Sequence, residues 1–284
     1  MSAPVFLAEP GSLADARAGG LHLLDGAEGR HAGVVQRRSP GERVDVVDGR
    51  GVRIECVVEG AHPDGVQLRV RARVEEPAPG VALVLVQALA KGDRDELAIE
   101  AATEVGVDAV VPWQAERSVV VWRGERAAKS RARWLGTVRA AAKQSRRAWV
   151  PEVGTALDDR GLVARVQETA RRGGLTLVLH EEASTPLASV ALPAVGAPAA
   201  GPVGLGGPHG NDGSAGSDGA PGAAGEAVEL LVVVGPEGGI SQREVDALTE
   251  AGAVTVRLGP HVLRTSTAGP VALALLAERL GRWS

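Results

Sequence analysis

Cysteine is almost absent from this chain of 284 residues, which contains Cys56 alone. A single cysteine excludes an internal disulfide and any zinc site built on cysteine ligands. It is also typical of proteins that work in a reducing cytosol. We therefore predict neither a disulfide nor a bound metal.

Long apolar runs are missing as well. The longest, VALVLVQALA at 81–90, has about half of the roughly 20 residues that a membrane-spanning helix needs. The first residues, MSAPVFLAEPG, place no basic segment before an apolar one, so we do not expect a signal peptide. The sequence predicts a soluble, cytoplasmic protein without a membrane partner.

Basic residues are slightly fewer than acidic ones overall, and they are unevenly distributed. The chain has 31 Lys and Arg residues against 35 Asp and Glu, a formal net charge of −4, which excludes a polycation but not a local basic patch. Between Arg117 and Arg147 the basic residues stand against a single acid, Glu125, and tryptophans accompany them. This pattern indicates either an RNA-binding surface or a solvated helix that buries Trp134 and Val138.

Residues 1–74 show the pattern of β-strands joined by tight turns. Asp48-Gly49-Arg50-Gly51 and Asp64-Gly65 are typical hairpin turns. In the stretch that follows, apolar Val66, Leu68, Val70, Ala72 and Val74 alternate with Gln67, Arg69, Arg71 and Arg73. A period of two predicts one apolar face and one basic face, and the basic face is either simply solvated or directed at RNA.

Residues 75–80, EEPAPG, form a break that predicts a linker, and the pattern changes beyond it to 81–284. Short apolar strands at 81–89, 108–113, 175–180, 229–234 and 254–258 now alternate with helices, for which we predict a parallel sheet covered on both faces. Asp93 to Glu96 predict a capping box for a helix whose Leu97, Ala101 and Val105 share the apolar face. Residues 191–226, rich in Gly, Ala, Pro and Ser, predict a disordered insert.

The strand at 229–234 runs into Gly235-Pro236-Glu237-Gly238-Gly239, and Ser241 with Glu244 then predicts a capping box. The spacing is neither G-x-G-x-x-G nor a P-loop. Because Glu237 would repel a pyrophosphate, the loop favours a neutral, zwitterionic or cationic ligand, although a plain structural turn remains possible.

A second glycine loop, LGPHVLRTSTAGP at 258–270, follows the last strand. Its serine and threonines can cap the helix that begins there. Arg264, between Leu263 and the start of the helix, is placed to hold an anion or a carbonyl oxygen.

Together, VVVGPEGGISQREVDAL and VRLGPHVLRTSTAGPVALALL resemble the paired motifs of the RsmE family, the 16S rRNA (uracil-N3) methyltransferases of the SPOUT class. The stretches 91–119, 133–153 and 177–184 agree in order, and HAGVVQRRSPGERVDVVDGRG resembles the N-terminal domain of the family. The resemblance covers nearly the whole chain except 191–226.

This resemblance implies a PUA-like β-barrel that binds RNA, followed by an α/β domain with a trefoil knot. It implies methylation of a uridine N3 in 16S rRNA, at the uracil-1498 position near the decoding region, within the small ribosomal subunit and by a homodimer. It also implies that backbone groups of three loops hold S-adenosylmethionine. These loops contain Leu179, His180, Glu181, Gly235, Pro236, Glu237, Gly238, Gly239, Leu258, Gly259, Leu263, Arg264 and Thr265.

Methylation at N3 requires loss of the imide proton and stabilisation of the charge that develops on the uracil oxygens. We predict that Arg264 is catalytic, and Glu237 is a candidate base by proximity alone. The predicted RNA contacts are Lys91, Arg94, Arg117, Arg146, Arg147, Arg69 and Arg71. An oxidoreductase is disfavoured because VQALAKGD offers no G-x-G-x-x-G, whereas an RNA-binding factor without activity would leave both glycine loops without a ligand.

Overall fold

The structure is a computed structural model that describes residues 3–194 and 227–283. The chain divides into two compact units. The N-terminal unit comprises Met1–Ala78 and Val138–Pro151, and the C-terminal unit comprises Pro79–Thr137 and Glu152–Ser284. Of the predicted insert, only 191–194 lie within the described residues, and they have no regular structure.

The N-terminal unit contains one sheet of five strands in the order β1-β3-β4-β5-β2. Its elements are β1 (Val5–Leu7), β2 (Leu21–Asp25), α1 (Gly26–Arg30), β3 (Arg43–Val47), β4 (Val52–His62) and β5 (Gly65–Glu75). Both predicted hairpins are confirmed, since β3–β4 and β4–β5 are antiparallel pairs. A π-helical turn at His31–Val35 follows α1 and was not predicted.

The predicted alternation along β5 is correct only as far as Val70. Val66, Leu68 and Val70 are buried, but Cys56 pairs with Val70 while Glu55 pairs with Ala72. Arg71 is therefore an extra residue in the strand, and a bulge of this kind reverses the faces beyond it. Val74 is consequently 40% exposed, so its predicted place in the apolar face is wrong.

The segment Val138–Pro151, which the sequence prediction places in 81–284, is grouped with the N-terminal unit in the structure. Ala148 packs in an apolar cluster with Val5, Leu7 and Val47. Trp149 donates its indole N–H to the carbonyl of Glu76 at 2.9 Å. Sequence continuity gives no sign of these contacts, because they join residues about 70 or more positions apart.

The C-terminal unit contains six strands in the order β11-β9-β10-β6-β7-β8, and every pair is parallel. The strands are β6 (Val81–Ala88), β7 (Ala109–Trp113), β8 (Glu152–Val153), β9 (Leu175–Leu179), β10 (Val228–Val234) and β11 (Val254–Val256). The predicted parallel sheet is confirmed. The sequence did not indicate β8, because two residues carry no period.

Five longer helices accompany this sheet in the chain: α2 (Arg94–Glu104), α3 (Glu125–Gln144), α4 (Asp159–Arg171), α5 (Gln242–Glu250) and α6 (Thr265–Arg279). The division between the units falls within α3. Among the described residues, none of the helices combines the length and apolarity that crossing a membrane requires.

The prediction for α2 was wrong in two respects. Asp93 stands at the N-cap, but its side chain makes no capping hydrogen bond. Leu97 is 49% exposed, whereas Ala98, Ile99 and Ala102 are buried. α2 packs against α6 and β6, and tertiary contacts of this kind override a weak sequence period.

Candidate cofactor site

The glycine loop, residues 235–239, ends at a well-formed helix start. The Ser241 hydroxyl accepts a hydrogen bond from the Glu244 amide, and the Glu244 carboxylate accepts one from the Ser241 amide at 2.8 Å. Ile240 and Val245 are buried in the same apolar cluster, and Gly252, with φ +107°, follows the C-cap of α5. The predicted capping box, hydrophobic staple and C-terminal glycine are confirmed.

Two positions of the glycine loop require glycine for different reasons. A Cβ at Gly235 would lie 2.6 Å from Cγ1 of Ile240, a distance at which the chain has to shift. Gly239 has φ +74°, a left-handed conformation that glycine adopts without steric cost.

Thr265, the first residue of α6, connects the two glycine loops. Its Oγ1 donates to the carbonyl of Gly235 at 2.8 Å and accepts from Nε2 of Gln87 at 2.9 Å. Gln87 is fully buried near the end of β6. This relay therefore joins the ends of β6 and β10 to the start of α6.

The loops that follow β9, β10 and β11 surround a cavity of about 720 Å³, since parallel strands end at the same edge of a sheet. Leu258 and Gly259 line a neighbouring cavity of about 150 Å³ that shares several wall residues with it. All other residues predicted to bind the cofactor line the large cavity: Leu179, His180, Glu181, Gly235, Pro236, Glu237, Gly238, Gly239, Leu263, Arg264 and Thr265.

Charged side chains of both signs line the large cavity. The arginines are Arg94, Arg117 and Arg264, and the acids are Glu181, Glu182 and Glu237. Arg264 is the exposed N-cap residue of α6. It lines the cavity, and its catalytic role stays a prediction.

Glu237 is held by the segment that precedes α2. Its Oε1 accepts from Nη1 of Arg94 at 2.7 Å and from the amide of Lys91 at 3.2 Å. Partial burial acts to raise the pKa of this carboxyl, but hydrogen bonds from its own amide, Arg94 and Lys91 outweigh it and lower the pKa. The ion pair fixes the glycine loop to the start of α2.

The predicted RNA contacts are divided between the two units. Arg94 and Arg117 line the large cavity. Lys91, three residues before Arg94, is exposed. In the N-terminal unit, Arg69 forms an ion pair with Glu59.

The remaining predicted contacts also lie in the N-terminal unit. Arg71 is exposed at the β-bulge, and Arg146 is exposed with φ +60°. Arg147 is partly exposed.

Three of the tryptophans near the basic segment belong to the interior. Trp113 and Trp134 are at most 1% exposed, and Trp122 is 9% exposed and meets Trp134 edge to face at 5.2 Å between ring centroids. Rings buried in this way cannot stack on bases. The interpretation that places Trp134 and Val138 in the core is confirmed.

Several residues of the site were missed by sequence reasoning. Gln87 was the one polar residue in the apolar run VALVLVQAL, which is a usable signal for a buried hydrogen bond. Glu182, which also lines the large cavity, carried no distinguishing pattern. Among residues 3–194 and 227–283, no three His, Cys, Asp or Glu side chains are grouped as metal ligands would be.

The chain matches two family models. The RNA methyltransferase domain matches residues 76–210 and 212–277, and the RNA methyltransferase PUA domain matches residues 24–71. The chain is therefore an RNA methyltransferase with a PUA domain.

Relatives of known name refine this class. The ribosomal RNA small subunit methyltransferase E of Mycobacterium bovis is 43% identical over 93% of this chain and 89% of its own length. The protein of the same name from Bacillus subtilis is 31% identical over 89% of this chain and 88% of its own. The chain belongs to the ribosomal RNA small subunit methyltransferase E family.

A solved structure shares this fold over nearly its full length. It is a protein from Legionella pneumophila, described as a methyltransferase and crystallised with the bound cofactor SAM, which is S-adenosylmethionine. It is 25% identical, covers 98% of both chains and has a TM-score of 0.71.

Proposed function

We propose that this protein transfers the methyl group of S-adenosylmethionine to N3 of a uridine in 16S rRNA, at the uracil-1498 position. We propose that it acts in the cytoplasm on rRNA within the small ribosomal subunit. The observation that carries the proposal is the cavity itself, because it brings Arg264 into one wall with the glycine loop.

The residues of the cavity fit S-adenosylmethionine. The cofactor carries positive sulfonium and ammonium groups and no phosphate, and the wall offers Glu181, Glu182 and Glu237 without a phosphate-binding motif. A Cβ at Gly259 would meet no atom within 4 Å, which leaves room for a ligand to approach the backbone closely. When bound, the cofactor supplies an electrophilic methyl group.

Arg264 is the residue we propose to contact the uracil. A guanidinium can donate a hydrogen bond to a carbonyl oxygen or two parallel ones to a phosphate, and it would stabilise the negative charge that develops when N3 loses its proton. Glu237 is poorly suited to be the base, since its lowered pKa makes it a weaker proton acceptor. We propose that Glu237 orients the glycine loop.

Contacts with the RNA backbone are proposed for the N-terminal unit and for Lys91. A cleft of about 530 Å³ in this unit is lined by His31, Arg139, Lys143 and Arg146, with Glu28 as its one acid. Lys143 is already paired with Glu28 at 2.8 Å. The cleft thus retains a positive balance, which suits phosphates.

We propose a trefoil knot for the C-terminal unit, as the family resemblance implies.

We propose that α2 and α6 contact a second copy of the chain. These two helices pack against each other yet leave Leu97, Val271 and Leu275 between 37% and 49% exposed. Apolar side chains exposed on two packed helices support an interface between copies. Sedimentation analysis that finds only monomers at micromolar concentration would contradict a homodimer.

The proposed reaction is tested by mass spectrometry of small-subunit rRNA from a strain that lacks this chain. We expect N3-methyluridine to disappear and to return when the wild-type chain is supplied, but not when Arg264→Ala is supplied. Persistence of the modified nucleoside in the deletion strain would refute the substrate.

A further inference from the structure

Arg117 was predicted to contact RNA, but its side chain lies along the glycine loop. Its Nη1 donates to the carbonyl of Gly238 at 3.0 Å. A Cβ built on Gly238 would lie 3.2 Å from Cβ and 3.6 Å from Cδ of Arg117. The side chain therefore packs closely against the loop backbone and also binds it.

The segment that carries Arg117 is anchored to the start of α5. The amide of Glu116 donates to Oε1 of Glu244 at 2.7 Å, while Oε2 of Glu244 accepts from Oγ of Ser241 at 2.8 Å. Glu244 is 3% exposed. One buried carboxylate thus holds both the helix start and the segment after β7.

The side chain of Glu116 adds a second connection between the same elements. Its Oε2 accepts from Nη2 of Arg243 at 2.9 Å and lies 3.1 Å from Oγ of Ser241. The backbone beside Arg117 is therefore fixed relative to Ser241, which lies two residues beyond Gly239.

We propose that Arg117 is a positioning residue, which holds the glycine loop in the shape that admits S-adenosylmethionine, and that its effect on RNA binding is secondary. The inference rests on the proposed cofactor site. Its physical basis is that one charged donor fixes a carbonyl of a loop whose glycines otherwise permit many conformations.

Calorimetry with S-adenosylmethionine on the full chain tests this inference in Arg117→Ala and Arg117→Lys. We expect Kd to rise about 10- to 100-fold for the alanine variant, as for loss of a hydrogen bond from a charged group. Lysine can donate to the same carbonyl, so it should recover a large part of the affinity. The matched control is Arg160→Ala, an exposed arginine of α4, which should bind like the wild type.

A second measurement separates positioning from RNA contact. In Arg117→Ala the KM for S-adenosylmethionine should rise, while the slope of log K against log salt for RNA stays unchanged. The contrary result is an unchanged cofactor affinity together with a slope reduced by about 0.7, the value for one contact to single-stranded RNA. It would overturn this inference and leave the proposed function standing. A wild-type chain that binds no S-adenosylmethionine would overturn the proposed function as well.

Discussion

Replacing Thr265 by valine should weaken the cofactor site without a large change in side-chain shape. The hydroxyl joins three elements, because it donates to the carbonyl of Gly235 and accepts from Nε2 of Gln87. Valine keeps the branched shape and removes only this relay. We expect the variant to fold with a lower stability and with a glycine loop that is less well fixed.

The magnitude follows from the groups that lose a partner. Nε2 of Gln87 still donates to the carbonyl of Ala88 at 3.2 Å, so Gly235 loses its donor while Gln87 keeps one acceptor. Because Gly235 is only partly buried and lines the cavity, loss of this hydrogen bond costs about 0.5–1.5 kcal/mol. In a protein of this size each kcal/mol lowers Tm by about 2–4 °C, so Tm should fall by about 1–6 °C.

Scanning calorimetry with and without S-adenosylmethionine measures both effects in Thr265→Val, and Thr265→Ser is the matched control. Serine retains the hydroxyl and should stay close to the wild type in Tm and in the stabilisation that the cofactor adds. A valine variant with the Tm and cofactor affinity of the wild type would show that the relay does not determine the shape of the site.

Three further predictions concern substitutions of single residues. Burial raises the pKa of Asp95 to about 6, so its contribution to stability is present below about pH 4 and is lost as pH rises through 6. The higher pKa corresponds to at most about 3 kcal/mol. We therefore expect Asp95→Asn to be about 1–3 kcal/mol more stable than the wild type at pH 8, and no more stable at pH 4, when the free energy of unfolding is measured in urea. Gly259→Ala should keep the wild-type Tm and lose cofactor affinity in calorimetry. Because Gly252 has φ +107°, Gly252→Ala should lower Tm and keep the cofactor affinity of the wild type. Glu237→Gln should lower kcat less than the roughly 100-fold expected for loss of a general base, and a larger loss with an altered pH profile would restore it as the base.

Sequence patterns predicted the elements whose signals are local. The strand, glycine loop and capped helix around Ser241 could be read from residues within about 15 positions, since each capping and turn residue acts on its neighbours. The cavity wall was also predicted in large part, but through a family resemblance, because spacing alone left a structural turn around Gly235 possible.

The features that the sequence did not predict depend on contacts between residues far apart in the chain. The bulge at Arg71 arises because β4 and β5 differ by one residue there, which no alternation within β5 reveals. Arg117 and Arg94 were predicted as contacts for RNA because they are basic, whereas the structure gives each of them a partner on the glycine loop. Only the folded chain brings these segments, more than 100 positions apart, into contact.

The N-terminal unit is built from two separate segments of the chain, and this affects its folding during synthesis on the ribosome. This unit ends its first segment at Ala78 and is completed only by Val138–Pro151, so about 60 further residues must be translated before its second segment begins to emerge. At about 5–20 residues per second this delay is about 3–12 s. During that time Val5, Leu7 and Val47 lack the Ala148 that packs with them, and the nascent chain presents an apolar surface that chaperones can bind.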